Sequence, residues 1–292
     1  MKRKNELNDI YKEATQNAEF CKSVERSANE AEALALAYEN APDKSVGVNA
    51  LIGMHGSEPV FWNMSKQNVL ASCDSGYGVY SHGHNLPIMN IREHYSAQEV
   101  GYYVFVGDGT VWNARYDEHC VACCELYNEN QDRKEYDEVV RKLYMLMKER
   151  EKMSDDDLKN QKHIELFFVG INVPSAYDFY VRNKREFDEI IKAVFVDGNR
   201  LKIGLYLSGR PNLFDMSPTR DMFWAYRKSF DAKLIGVCRS KLSSVLLTGS
   251  DVAYYDKYRF VSPLMPRLPA VFIHGDIIEN LKFPNTWQIN RE

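Results

Sequence analysis

The second half of the chain alternates short apolar runs with helices that are apolar on one side only, and this limits the folds open to it. Ile164 to Ile171 reads as a continuous apolar strand. Lys184 to Val194 puts Phe187, Ile190, Ile191 and Val194 on one helical face. Leu201 to Leu207 is a strand again. Ser217-Pro218 is an N-cap followed by proline at the first helical position, opening a helix through Phe223 and Tyr226. Leu234 to Val237, Ser244 to Leu247, Val252 to Tyr255 and Ala270 to Ile273 are expected to be further strands. The pattern implies a mixed α/β or α+β fold, with sheet order left open.

The first half has a different texture. Residues 3–24 carry a loose helical period through Leu7, Ile10, Tyr11, Ala14 and Phe20. Ser27-Ala-Asn-Glu30 is a capping box ahead of the alanine-rich stretch AEALALAYEN, which Pro42 halts. Short β-like runs follow at Val46 to Ile52, Pro59 to Trp62, Val69 to Cys73 and Gly76 to Ser81. Tyr102 to Val106 and Thr110 to Trp112 flank Asp108-Gly109, the signature of a hairpin turn. From about 131 to 153 the chain is highly charged, with Tyr136, Val139, Val140, Leu143 and Met147 at helical spacing. The expected organisation is a first domain over 1–130, a charged helical linker over 131–160 and a smaller α/β domain over 161–292.

Composition bounds the function. Of 292 residues, 45% are hydrophobic and 27% charged, as in a globular protein. A net charge of -4 disfavours non-specific nucleic-acid binding. The basic start lacks the apolar core of a secretory signal, and no apolar run approaches the ~20 residues a membrane span needs. Six cysteines in this length are no disulfide framework. The expectation is a cytoplasmic protein that engages a protein or peptide and no membrane.

Candidate chemistry is concentrated in one region. Four of the seven histidines (His82, His84, His94, His119) and four of the six cysteines (Cys73, Cys120, Cys123, Cys124) lie between positions 73 and 124. Imidazole and thiolate are the ligands zinc prefers. In Ser81-His82-Gly83-His84, two imidazoles two residues apart on a strand share a face and can chelate one ion. Twelve residues on, Ser96-Ala97-Gln98-Glu99 can aim a hydroxyl and a carboxylate at the same side of a helical turn. The same tetrapeptide also reads as a plain capping box. Two histidines and one carboxylate would leave a fourth zinc position for water.

The segment GVYSHGHNLPIMNIREHYSAQEVGYYVFVGDGTVW resembles the metal-binding core of the JAB/MPN (JAMM) metallopeptidases: a strand ending in His-x-His, a loop, then Ser-x-x-Asp opening a helix, followed by an apolar strand and a hairpin. The resemblance covers about residues 27–116. It implies a JAB-like domain with zinc held by His82, His84 and Glu99. Ser96 would be the catalytic residue that steadies the oxyanion, and the reaction would be hydrolysis of a peptide or isopeptide bond. Glu99 replaces the family's Asp, and the loop before Ser96 is longer than the commonest spacing. The strand that should carry the catalytic Glu reads Ser45-Val46-Gly47-Val48-Asn49-Ala50-Leu51, without an acid. The alternative is therefore a protein of this fold, viral or phage-derived, that binds or assembles without cutting.

Other signals are weaker. Cys120-x-x-Cys123-Cys124 reads as buried cysteine against the core, with a structural metal as the second reading. Ser217-Pro-Thr-Arg220-Asp221 could hold a phosphate or be an ordinary cap. No Walker loop, dinucleotide fingerprint or G-x-S-x-G is present.

Overall fold

The computed structural model describes residues 32–33, 35–74, 85–107, 113–127, 133–238, 240–253 and 268–283. Ten strands form one sheet, in the order β2-β1-β10-β9-β8-β3-β7-β6-β4-β5. In chain order they are β1 (Asn49–His55), β2 (Glu58–Asn63), β3 (Val69–Ser72), β4 (Val100–Val106), β5 (Cys120–Glu125), β6 (His163–Val169), β7 (Ile203–Gly209), β8 (Ala232–Gly236), β9 (Leu268–His274) and β10 (Ile277–Phe283). The six from β8 to β5 are all parallel. The other four extend the β8 side as antiparallel neighbours.

Parallel strands need crossovers, and helices supply most of them. They are α1 (Asn85–His94), α2 (Arg133–Arg150), α3 (Asp155–Lys159), α4 (Pro174–Arg182), α5 (Lys184–Leu201), α6 (Thr219–Phe223) and α7 (Lys241–Thr248). α1 packs Ile88 and Ile91 on one face of the sheet, against Val69, Ala71, Tyr102 and Val104. α2, α4, α5, α6 and α7 pack on the other, against Leu70, Phe105, Phe168 and Leu205. With both faces covered, the central strands bury every residue: β4, β6 and β7 have no exposed position.

α5 forms as its apolar spacing requires, burying Phe187, Ile190, Ile191, Val194 and Leu201, and ends where Lys202 turns left-handed (φ 52°). Phe187 meets Phe105 and Phe168 edge-on at ring distances of 5.4 and 6.1 Å, while Phe105 and Phe168 stack at 4.9 Å. These rings join β4, β6 and α5 into one core.

Four expectations change. The expected division at 131–160 separates β4 and β5 from β6, yet β4 pairs with β6 along its whole length, so strands from both halves interleave in one sheet. β4 has parallel neighbours on both sides, which leaves no free edge for the expected antiparallel hairpin partner. Residues 110–112 lie outside the described residues. Ser244 to Leu247 is helix α7, not a strand: the Ser240 hydroxyl accepts from Ser243 N–H at 3.4 Å, and Gly249 (φ 84°) closes the other end. A short apolar run does not by itself distinguish the two. Val252 and Ala253 lie in a turn.

Arg150, the last residue of α2, is buried, and among the described residues its guanidinium bonds to carbonyls. Nη1 donates to Leu201 O (2.9 Å) and Lys202 O (3.0 Å), and Nη2 to Lys162 O (2.7 Å). It ties the end of α2 to the entries of β6 and β7, against the negative end of α5. Arg150→Met should lower stability by about 2–4 kcal/mol in urea titration, because three buried carbonyls lose charge-assisted bonds.

His163 and Glu165 share one face of β6, with His163 Nε2 3.1 Å from Glu165 Oε2. Burial, then Arg150 and Lys202, pushes the imidazole down to about 3, and burial pushes the Glu165 carboxyl well up, so the pair is neutral. Native His163 stays unprotonated where the unfolded chain binds a proton, so its contribution is lost as pH falls from about 6.5 toward 3. Glu165 acts oppositely: above about 4.3 the unfolded carboxylate is charged while the native one holds its proton, so stability falls as pH rises. Glu165→Gln should therefore gain stability over the parent progressively from pH 5 to pH 8 in thermal melts. A gap that narrows with pH would reverse the assignment.

Candidate functional site

β3 lies between β7 and β8, with Ser72 opposite Gly209 on one side and Ile235 on the other. From β3 the chain passes through α1 to β4, beyond β7 and β6. From β7 it later crosses β3 to reach β8. Connections thus diverge at β3, and the crevice at the carboxyl ends of strands at such a switch point is where open α/β sheets bind ligands.

The residues at that end are tightly fitted. Asp74 N–H donates to Val237 O (3.0 Å), Gly107 N–H to Val169 O (2.9 Å) and Gly170 N–H to Ser208 O (2.9 Å). Asn172 Nδ2 donates to Leu213 O (3.1 Å), and its Oδ1 accepts from the Thr219 hydroxyl. The Ser72 and Ser208 hydroxyls are buried without a hydrogen-bond partner among the described residues. Arg210 follows the residue paired with Ser72, and its side chain is exposed. A Cβ on Gly107 would sit 2.6 Å from Ile171 Cα and 2.7 Å from Gly170 O. Gly107→Ala should therefore cost about 1–3 kcal/mol in denaturant unfolding, since backbone and not a flexible side chain is in the way.

Between β3 and α1 lie residues 75–84, outside the described residues. Their sequence, with Cys73 and Asp74 ahead of it, is the segment that a strand–loop–helix phosphate site would use. Laid on the frame G-x-x-x-x-G-K-S/T, Cys73 stands at the first glycine, Gly78 at the second, Val79 at the lysine and Tyr80 at the hydroxyl residue. Gly76 and Gly78 are the glycines within this frame, and the strand expected over Gly76 to Ser81 lies outside the described residues. β6, separated from β3 by β7, ends at Val169 and is followed by Gly170, Ile171 and Asn172, without an acid.

The residues singled out for zinc are distributed as follows. His82 and His84 lie outside the described residues. Ser96 and Glu99 form a turn between α1 and β4 and do not open a helix. Ser96 N–H and Oγ donate to Glu99 Oε2 (2.7 and 3.0 Å), and Lys44 Nζ reaches Glu99 Oε1 at 3.2 Å. His94 Nε2 lies 2.6 Å from Tyr38 O, and His119 spans Asp117 Oδ1 (2.8 Å) and Tyr95 O (3.0 Å). Cys120, Cys123 and Cys124 are on β5, where burial raises the first two thiols to about 12 and the third well up. Protonated thiols are poor ligands and nucleophiles. Among the described residues no group of three His, Cys, Asp or Glu side chains is disposed to hold a metal.

No protein-family model matches the sequence, and no curated protein matches it. Solved structures do. The cytoplasmic domain of the Thermomonospora curvata type VII secretion ATPase EccC aligns at TM-score 0.57 and 12% identity, over 85% of this chain and 30% of that one. The pCW3 conjugation coupling protein TcpA, solved with ATPγS, gives 0.57 and 12%, over 85% and 70%. T. curvata EccC ATPases 2 and 3, solved with a signal sequence peptide, give 0.59 and 12%, over 82% and 41%. The chain spans less than half the length of those EccC chains.

At these identities the likeness is one of fold alone, shared with domains of these ATPases. The resemblance to JAB/MPN metallopeptidases is overturned, and with it zinc-dependent peptide or isopeptide hydrolysis. The non-cutting alternative was drawn from the same frame and loses its support as well. The physical reason is that His-x-His and Ser-x-x-Glu are short, common patterns. Here the second is a turn entering a central parallel strand.

Proposed function

We propose that this chain is a nucleoside-triphosphate-binding domain of the ATPase kind, acting on a polypeptide within a larger assembly. One observation carries the reading: β3, followed by the glycine-bearing segment 75–84 and helix α1, lies at the switch point of a parallel sheet. The neighbours support it, being ATPases, one of them solved with ATPγS and another with a signal sequence peptide. The net charge of -4 favours a protein over a nucleic-acid partner. Among the described residues no helix is long and apolar enough to cross a membrane, and the first EccC structure is of a cytoplasmic domain, in keeping with work in the same compartment.

Phosphate would be held through backbone N–H groups of the loop, as glycine-rich turns ahead of helices do. With Val79 at the lysine position, the loop supplies no cation. Arg210, beyond the tip of β7, is the described residue placed to supply one. Hydrolysis then depends on that guanidinium, or on one from another subunit, to neutralise charge developing on the transferred phosphoryl group.

Calorimetric titration with MgATPγS tests the reading. The parent should bind one equivalent weakly, and Arg210→Ala should weaken binding about tenfold, the loss of one charge-assisted contact. Val79→Lys combined with Tyr80→Ser should tighten binding about tenfold or more and make it magnesium-dependent. Absence of binding in both the parent and the lysine–serine variant would refute the proposal. Phosphate release in the same samples reports turnover.

A further inference from the structure

The opposite end of the sheet carries a second feature that the nucleotide reading does not use. A cavity of about 430 Å³ opens at the amino ends of β3, β4, β6 and β7. Four lysines line it, Lys44, Lys66, Lys159 and Lys202, with Glu99 the one carboxylate among the lining residues. That carboxylate is already engaged by Ser96 and Lys44. Lys159 has a partner in Asp156 at 2.7 Å, outside the cavity lining.

Behind the lysines the charge is also one-sided. Arg150 is buried on carbonyls, and Lys202 Nζ likewise reaches the carbonyls of Lys159 and Gln161. Burial, and then the nearby Arg150, lowers both Lys162 and Lys202. Glu165, a buried acid at this end of β6, is held protonated by burial and supplies no negative charge. His163 lines the cavity, is 3% exposed, and has its Nδ1 without a partner. An imidazole held neutral can either donate to or accept from a ligand there.

We propose that this cavity is a binding site for a small phosphorylated anion, separate from the nucleotide site at the carboxyl ends of the strands. The volume is that of a small-molecule pocket. Lys66 and Lys202, with Lys44 and Lys159 able to turn from Glu99 and Asp156, act as point charges around a multiply charged phosphate, and need no planar fork geometry. The Nδ1 of His163 gives the floor of the pocket a polar contact.

Inorganic pyrophosphate is the probe, titrated into the full chain at low and moderate salt. Lys66 and Lys159 are exposed, so Lys66→Glu and Lys159→Glu leave the core intact. The pair should weaken pyrophosphate binding at least about tenfold, equivalent to two lost charge contacts. Gly78→Asp, in the segment after β3, should remove ATPγS binding while leaving the lysine-dependent pyrophosphate binding in place. The two sites therefore fail separately. Pyrophosphate binding that is lost in Gly78→Asp and kept in the lysine variants would assign it to the nucleotide loop and overturn the proposal. Absence of pyrophosphate binding in the parent would overturn it as well. So would a single-stranded oligonucleotide that binds with the same lysine dependence where pyrophosphate does not.

Discussion

The architecture depends on six parallel strands being covered on both faces. β4, β6 and β7 have no position free to meet a ligand along their length, because helices close one side and α1 with its neighbouring strands the other. The central strands have neighbours on both sides, so the strand ends and the segments joining them are where chemistry can be done. The functional questions therefore reduce to what stands at each end.

The two ends differ in kind. At the carboxyl ends, glycines allow close backbone approach: Gly107 lies against Gly170 and Ile171, and Gly170 bonds back to Ser208. The hydroxyls of Ser72 and Ser208 are buried there. At the amino ends the character is cationic, with Arg150 joining α2 to the entries of β6 and β7. A buried guanidinium is tolerable there because the last carbonyls of α5 carry the negative end of its dipole. That single side chain fixes where β6 and β7 begin and raises the positive potential of the cavity beside them.

The misreading of the site followed from this division. His-x-His and Ser-x-x-Glu are close in sequence, and chain order alone suggests one site. Helix α1 occupies Asn85–His94 between the two motifs, and Glu99 belongs to the turn that enters β4, bound to Ser96 and Lys44. The cysteines of β5 were similarly suggestive by composition. Their burial against the core holds them as thiols.

What the sequence determined by itself was local. The apolar run at 164–171, the one-sided face of Phe187, Ile190, Ile191 and Val194, and the charged helix near 131–153 specify β6, α5 and α2, because burial on two faces or on one leaves different periodicities. From these the α/β class follows. Tertiary structure alone decided that β3 inserts between β7 and β8, that β4 takes parallel partners on both sides, and that strands from both halves interleave. Strand pairing across more than a hundred residues depends on how whole faces fit and leaves little local trace. The switch point at β3 is a property of that pairing. The cationic cavity is too, since Lys44, Lys66, Lys159 and Lys202 are brought together by the alignment of strand ends and are unremarkable along the chain.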